Sequence, residues 1–245
     1  VVSLAVVLVE PAGPLNIGSV ARLCANFGVE DLRLVAPRCD PADPDALRMA
    51  VHGGQVLGRA RRFPTLPDAL ADCQRVVASC GRIEHGEIPL QAPEQVMPWV
   101  QQGLESAAQV ALVFGREDRG LSNEELLLSQ RVVRLHSSEA YPSLNLSHAV
   151  AVMLHELERV RRGSSEPLKA ALQDAETAAP TQLIDCLNDA EDLLLEAGFL
   201  LKHTARARMA KVKGLLQRSL VRPEELAMLR GMVRQLRWAI RCHRP

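Results

Sequence analysis

Five short aliphatic runs, each followed by a turn or by a helix-like segment, constrain the fold of this 245-residue chain more than any other feature. They lie at residues 4–9, 32–35, 76–78, 110–114 and 132–135. Strands that read as continuous hydrophobic runs are usually buried on both faces. The alternation therefore predicts an α/β domain, with a parallel sheet covered by helices on both faces, over residues 1–162.

The pattern changes beyond this domain. Residues 163–180 are polar and weakly periodic, which predicts a linker. Residues 181–201 and 223–242 have the periodicity of amphipathic helices, so residues 181–245 are expected to form a small all-helical domain. In the last helix we expect Met228 and Met232 to fill the core, beside an apolar stripe and an arginine stripe. The apolar stripe is Leu226, Leu229, Val233, Leu236 and Ile240, and the arginine stripe is Arg230, Arg234, Arg237 and Arg241.

The formal net charge of zero conceals two oppositely charged parts. Residues 1–160 contain 14 Lys and Arg against 19 Asp and Glu, whereas residues 161–245 contain 15 against 10. Residues 202–222 include seven basic side chains and no acidic one. This asymmetry indicates a polyanion, nucleic acid before membrane, bound by the C-terminal part. The alternative is a solvated helical face, with RNA bound instead by Arg22, Arg82, Arg116 and Arg119 of the first domain.

Several classes of protein lack support in the sequence. No apolar run reaches the roughly 18 residues that a membrane span needs, so we expect a soluble, cytoplasmic protein without a membrane partner. The six cysteines include no CxxC pair, which argues against a disulfide framework or a metal site. The motifs GxGxxG, GxxxxGK[ST], GxSxG and HExxH are absent, which disfavours dinucleotide, P-loop, serine-hydrolase and zinc-protease chemistry.

Ligands of open α/β sheets bind outside the carboxyl ends of the strands, so the candidate site lies in the loops that follow them. Four such loops are rich in small and polar residues, at 10–22, 79–82, 114–125 and 135–147. In the third loop Gly115 and Gly120 permit close backbone approach, and Ser122 with Glu125 forms a capping box for the next helix. These loops are therefore expected to meet around one ligand.

Three motifs in these loops occur in a recognisable order. They are N-x-G-x-x-A-R from Asn16 to Arg22, F-G-R-E-x-x-G-L-S-N-E-E from Phe114, and Y-P-S-L-N-L-S-x-A-V from Tyr141. Together they closely resemble the SPOUT class of RNA 2′-O-ribose methyltransferases over residues 2–160. The helical extension, with Ala-Gly-Phe at 197–199 and Met-Leu-Arg-Gly at 228–231, is similar to the branch that acts on nucleotide 32 of the tRNA anticodon loop.

This resemblance implies more than the pattern itself indicates. Members of the class fold the C-terminal part of the sheet domain into a trefoil knot, bind S-adenosylmethionine there and act as homodimers. By resemblance the catalytic residue is Arg22, with Asn16, Glu117, Ser143 and Asn145 shaping the site. The implied cofactor-binding residues are Ser79, Cys80, Gly81, Gly115, Leu135, Pro142, Ser143 and Leu144, and no metal is implied.

The chemistry leaves some roles open. A ribose hydroxyl must be placed in line with the methyl donor and must lose its proton. Arginine is a poor general base because it stays protonated in proteins. We therefore expect Arg22 to clamp a phosphate, while a phosphate oxygen, Glu117 or water takes the proton. Taken singly, Arg22 also fits a surface arginine and Asn145 a helix cap.

Two other functions stay open on the sequence alone. One is 2′-O-methylation of ribosomal RNA by an enzyme of the same class. The other is a noncatalytic RNA-binding protein with the same fold.

Overall fold

The structure, a computed structural model, describes residues 4–81, 88–138, 143–163, 177–219 and 221–242. The chain divides into two compact units, Val1–Gln173 and Asp174–Pro245. Each unit has its own hydrophobic core.

The first unit is built on a seven-stranded sheet in the order β3-β2-β1-β6-β4-β7-β5, in which every pairing is parallel. The predicted α/β architecture with a parallel sheet is confirmed. The two edge strands, β3 and β5, were not predicted from the sequence. The strands are β1 Leu4–Val9, β2 Asp31–Val35, β3 Arg61–Phe63, β4 Arg75–Ser79, β5 Leu90–Gln91, β6 Val110–Phe114 and β7 Arg131–Val133.

The central strands are buried on both sides. Residues 5–9 of β1 are all buried, and successive side chains of a strand point to opposite faces. Val6 and Leu8 join one core cluster with Ile17 and Val20 of the first helix, while Ala5 and Val7 are buried outside that cluster. This double burial explains why the strands read as unbroken aliphatic runs.

Seven α-helices of the first unit lie within the described residues, with a short 3-10 turn at Val51–Gly53. The first helix begins with Pro14 in its first turn and ends before Gly28, whose φ of 68° fits a helix C-terminus. The helices are α1 Pro14–Asn26, α2 Pro44–Ala50, α3 Gly54–Gly58, α4 Leu66–Ala69, α5 Pro93–Glu105, α6 Asn123–Leu126 and α7 Leu146–Gly163.

The second unit contains three helices, α8 Pro180–Glu196, α9 Lys202–Arg218 and α10 Pro223–Cys242. Its core joins residues of all three, including Leu187, Met209 and Leu226. No strand occurs among the described residues of this unit, in agreement with the expected helical region.

The predicted apolar stripe of α10 is confirmed at Leu226, which is buried, and at Leu229, which packs against the same core, but the prediction is wrong in two respects. Met228 and Met232 are 61% and 55% exposed, and Leu236 is 55% exposed, so none of them fills the core. Arginines of α10 also contact α8, where only apolar residues were expected. Arg230 and Arg237 donate hydrogen bonds to backbone carbonyls of that helix. The arginine stripe therefore lies mainly against the neighbouring helix.

Across the described residues, no helix is both long and apolar enough to cross a membrane. The trefoil knot implied by the sequence resemblance stays a prediction.

Candidate active site

The four predicted loops meet because β1, β6, β4 and β7 are neighbours in the sheet and all run in the same direction. Their carboxyl ends therefore open onto one edge, where ligands of such sheets bind. The long helix α7 begins at this same edge, immediately after the loop that follows β7.

A cavity of about 420 Å³ lies between the loops that follow β4, β6 and β7, and the loop after β1 contributes no residue to its lining. Its size is typical of a site for a small ligand or cofactor. The described members of the predicted cofactor set all line it, namely Ser79, Cys80, Gly81, Gly115, Leu135, Ser143 and Leu144. Pro142 and Tyr141, also singled out in the sequence, lie outside the described residues.

The cavity wall includes several residues that were not predicted as site residues. Phe114 and Leu146 add apolar surface, and Asp118 and Arg119 add charge. They belong to the same motifs as the predicted residues, so their position in these loops could have identified them as site residues. Arg116, considered above only as an RNA contact, also lines the cavity.

Gly115 has a structural role of its own. A Cβ atom at this position would lie 2.2 Å from the carbonyl carbon of Gly120 and 2.4 Å from the backbone nitrogen of Leu121. The loop closes here through a two-way backbone pairing between Arg116 and Gly120, with N···O distances of 3.3 and 2.9 Å. Gly120 has a φ of 67°, which favours glycine. The close backbone approach expected at Gly115 is thus made by the loop itself.

A hydrogen-bonded chain connects three of the predicted site residues. The Glu117 carboxylate accepts from the backbone N–H groups of Ala12 and Gly13 and from Asn16 Nδ2, the last at 3.1 Å. Asn16 Oδ1 in turn accepts from Asn145 Nδ2 at 3.0 Å. The chain joins the loops after β1 and β6 to the start of α7.

Asn145 combines two roles: it caps a helix and it belongs to the site. Its Oδ1 accepts from the backbone N–H of Ser147 at 2.9 Å and from the Ser147 hydroxyl at 2.8 Å, which caps α7. Its Nδ2 remains available to hold Asn16. The cap therefore also fixes the orientation of the site asparagine.

Arg22 is exposed on α1, six residues after Asn16, and does not line the cavity. Its side chain has no hydrogen bond or ion pair within the part of the chain that the structure describes. The helix behind it is closely packed, because a Cβ on Gly53 would lie 2.6 Å from the Arg22 backbone nitrogen. An unpaired arginine on a firmly held helix suits the binding of an external anion.

Arg116 is unlike Arg22, because its side chain is only 10% exposed and both of its terminal NH2 groups are hydrogen-bonded. It forms a paired contact with Glu125 at 2.8 and 2.9 Å and an ion pair with Glu10 at the end of β1. An RNA phosphate would have to displace both carboxylates. The structure therefore gives Arg116 a role inside the protein, while Arg82 lies outside the described residues.

The contacts with Arg116 lower the pKa values of Glu10 and Glu125. The hydrogen bond from Arg116, assisted by Arg38, lowers the pKa of Glu10 to about 2. Burial acts to raise the pKa of Glu125, but hydrogen bonds from Arg116 and from the Ser122 backbone outweigh it, so the pKa is lowered. Both groups are thus held in the charged form that pairs with Arg116.

Glu125 also completes the predicted capping box of α6. The Ser122 hydroxyl accepts from the Glu125 backbone N–H at 3.2 Å, and the Glu125 carboxylate accepts from the Ser122 N–H at 2.7 Å.

The described residues contain no cluster of three or more His, Cys, Asp or Glu arranged to bind a metal.

Comparison with known proteins agrees with the fold. Residues 3–155 match the SpoU rRNA Methylase family. The chain is 35% identical to the tRNA (cytidine/uridine-2′-O-)-methyltransferase TrmJ of Klebsiella pneumoniae, with 93% of each chain covered. It is 33% identical to the tRNA (cytidine/uridine/adenosine-2′-O-)-methyltransferase TrmJ of Pseudomonas aeruginosa, over 93% of this chain and 91% of that one.

A solved structure of TrmJ from Z. mobilis superimposes with a TM-score of 0.79 and 29% identity, over 95% of this chain and 98% of that chain. The chain therefore belongs to the SpoU methylase family, within the SPOUT class, and is a methyltransferase. The resemblance inferred from the motifs is confirmed, and relatives of nearly full length bear the TrmJ name.

Proposed function

We propose that this protein transfers a methyl group from S-adenosylmethionine to a ribose 2′-hydroxyl of tRNA, at nucleotide 32 of the anticodon loop. The names of the near full-length relatives support a tRNA substrate and 2′-O chemistry. The observation that carries the proposal is the 420 Å³ cavity with the Glu117–Asn16–Asn145 chain beside it.

The cavity suits S-adenosylmethionine. Gly81 and Gly115 bring backbone amide groups to its lining, while Phe114 and Leu135 provide apolar surface for an adenine ring. When bound, S-adenosylmethionine supplies the electrophilic methyl group. Ser79, Cys80, Gly81, Leu135, Pro142, Ser143 and Leu144 would hold it.

Arg22 would bind the phosphate next to the target ribose and so orient the hydroxyl. Its exposed and unpaired side chain is free to make that contact. Glu117 has a different role, because four hydrogen bonds already reach its two oxygens. We assign Glu117, Asn16 and Asn145 to holding the loops in register, and proton removal to a phosphate oxygen or water.

The proposal extends to organisation. The sheet domain, residues 1–162, would carry the site and would dimerise, as the resemblance implies. Residues 163–180 would be the linker, and the helical domain, residues 181–245, would bind tRNA. The setting would be cytoplasmic, where tRNA is available.

The deciding experiment uses methyl-labelled S-adenosylmethionine with separated tRNA and rRNA, followed by nucleoside mass spectrometry. We expect a labelled 2′-O-methyl nucleoside from tRNA, and none from a tRNA with a 2′-deoxyribose at nucleotide 32. Labelled bases with intact ribose hydroxyls would refute the proposal. Product from rRNA alone would favour the alternative that the family description names.

A separate measurement tests the noncatalytic alternative. Calorimetric titration with S-adenosylmethionine should give binding by the wild-type protein. Absence of binding, together with retained tRNA affinity, would indicate an RNA-binding protein that has only the fold.

A further inference from the structure

The three helices of the second unit carry very different charges. Helix α8 contains five acidic residues and no basic one, whereas α9 contains six basic residues and no acidic one. Helix α10 carries both signs, with Glu224 and Glu225 in its first turn and four arginines after them. Basic residues are therefore present on two helices, and their partners decide which of them can meet an anion.

The arginines of α10 are largely engaged with α8. Arg230 and Arg237 donate to the backbone carbonyls of Gln182 and Asp189 at 2.9 and 2.7 Å. Arg241 donates to the Glu196 carboxylate at 3.4 Å. These contacts satisfy acceptors of the acidic helix within the protein. Of the four arginines, Arg234 alone has no such contact within the described residues.

The basic residues of α9 are in a different situation. Lys202, Arg208 and Lys211 are exposed, and none has a hydrogen bond or ion pair among the residues that the structure describes. Helix α9 is held in the core of the unit through Ala205 and Met209. The helix thus presents an uncompensated positive surface on a fixed support.

An exposed aromatic side chain adjoins this surface. Phe199, in the turn between α8 and α9, is 67% exposed in a chain with only seven aromatic residues. The turn is anchored, because Leu200 is buried in the core and the backbone N–H groups of Phe199 and Leu200 donate to Leu194. The ring therefore stands on a fixed backbone three residues before Lys202.

We propose that the exposed basic residues of α9 and Phe199 form the tRNA-binding surface of the helical unit, and that α10, three of whose four arginines already contact α8, does not. Lys202, Arg208 and Lys211 bind backbone phosphates, and Phe199 stacks on an unpaired nucleobase. Positive charge beside an exposed aromatic ring is the combination that binds single-stranded nucleic acid. The inference rests on the proposed function, because it takes tRNA as the polyanion.

The test compares two double variants of the full-length protein that remove equal charge. Arg208→Gln with Lys211→Gln alters α9, and Arg222→Gln with Arg234→Gln alters exposed arginines beside and on α10. Affinity for fluorescently labelled tRNA is measured across a salt series. We expect the α9 pair to bind more weakly and to lower the log-log salt slope by roughly 1.4 to 1.8, from 0.7 to 0.9 per lost phosphate contact.

The aromatic part is tested in the same way. Phe199→Leu should weaken tRNA binding about ten-fold, within the usual range for loss of base stacking. Trp238→Leu is the control, because Trp238 is 60% exposed on α10. Neither change should alter affinity for S-adenosylmethionine, and Phe199→Leu should raise KM for tRNA without changing kcat.

Equal losses in both double variants, or unchanged affinity in the α9 pair, would overturn the proposal. Failure of the proposed function is a separate result, since it would appear as wild-type protein that binds tRNA without methylating it. The binding comparison would still decide whether α9 makes the contact.

Discussion

At the scale of single residues, Arg116 joins the separate segments on which the site depends. Its guanidinium contacts Glu10 at the end of β1, the carbonyl of Gly120 in the cavity loop, and Glu125 in α6. Glu10 has a φ of 46°, an uncommon conformation for this residue type, at the point where the chain enters the first site loop. The ion pairs therefore tie the loop after β1 to the cavity loop after β6.

The acidity of Glu10 leads to a pH-dependence. Its pKa in the folded protein is about 2, below the ordinary value of 4.5, so its contribution to stability is complete above about pH 4.5 and is lost as the pH falls toward 2. We expect Glu10→Gln to be less stable than wild type at pH 7, with a difference that shrinks toward pH 2. Denaturation at a series of pH values measures this.

Glu30→Gln is the matched control for this prediction. Glu30 is an exposed carboxylate without a hydrogen bond or ion pair among the described residues, and its replacement should leave the stability difference near zero. A Glu10→Gln protein with wild-type stability at pH 7 would show that the pair with Arg116 contributes nothing.

Arg22 and Gly115 should separate catalysis from cofactor binding. Arg22→Ala should abolish turnover and leave affinity for S-adenosylmethionine nearly unchanged, because Arg22 lies outside the cavity. Gly115→Val should first raise the cofactor dissociation constant, because its Cβ would meet Gly120 and displace the loop. Calorimetry and a methylation assay give the two readouts. Equal loss of cofactor affinity in Arg22→Ala would contradict the division of roles.

At the scale of elements, the first motif also serves helix packing. A Cβ on Gly18 would lie 2.2 Å from the Ala46 carbonyl oxygen, so this glycine lets α2 pack directly against α1. We expect Gly18→Ala to destabilise the protein by about 1 to 3 kcal/mol, the usual range for overpacking, and to reduce activity because α1 carries Asn16 and Arg22. Urea denaturation and the methylation assay measure the two effects.

Gly54→Ala is the matched control for Gly18→Ala. Gly54 lies in α3, and a Cβ there would have no atom within 4 Å. Alanine is favoured over glycine in helices by up to about 1 kcal/mol, so this variant should be neutral or more stable. A Gly18→Ala protein as stable as Gly54→Ala would mean that α1 and α2 separate without loss.

The success of strand prediction depended on burial. The five predicted strands lie inside the sheet and have mainly apolar sequences, although β2 contains the buried Arg33, whereas β3 (Arg-Arg-Phe) and β5 (Leu-Gln) lie at the two edges of the sheet. Edge strands need no continuous apolar sequence, because one side has no neighbouring strand.

The site was predictable where one physical rule applied. Parallel strands that neighbour one another place their following loops together, which predicted the position of the cavity, whereas the individual residues Ser79, Gly115, Leu135 and Ser143 were implied by the family resemblance. The role of Arg116 was not predictable, because its partner Glu10 is 106 residues away in the chain. The contacts of the α10 arginines were not predictable for a similar reason, because their hydrogen-bond acceptors are backbone carbonyls of another helix, α8.

At the scale of the whole molecule, the two units have separate cores. The first contains Leu8, Val20, Leu112 and Met153, and the second contains Leu183, Leu187 and Met209. A unit with its own core can fold without its neighbour. The two units also differ in charge and in the function proposed for each. The first carries the candidate active site, and the second carries the uncompensated basic surface.

This separation predicts the behaviour of a truncated protein that ends at Gly163, where α7 ends. We expect it to fold, dimerise and bind S-adenosylmethionine, because the cavity and the Glu117–Asn16–Asn145 chain belong wholly to the first unit. It should bind tRNA far more weakly and with a shallower salt dependence, since each lost phosphate contact removes roughly 0.7 to 0.9 from the slope. Sedimentation, calorimetry and a tRNA salt series measure these properties. Matching affinity and slope in the two proteins would place the RNA contacts on the sheet domain, through Arg22, Arg82 and Arg119.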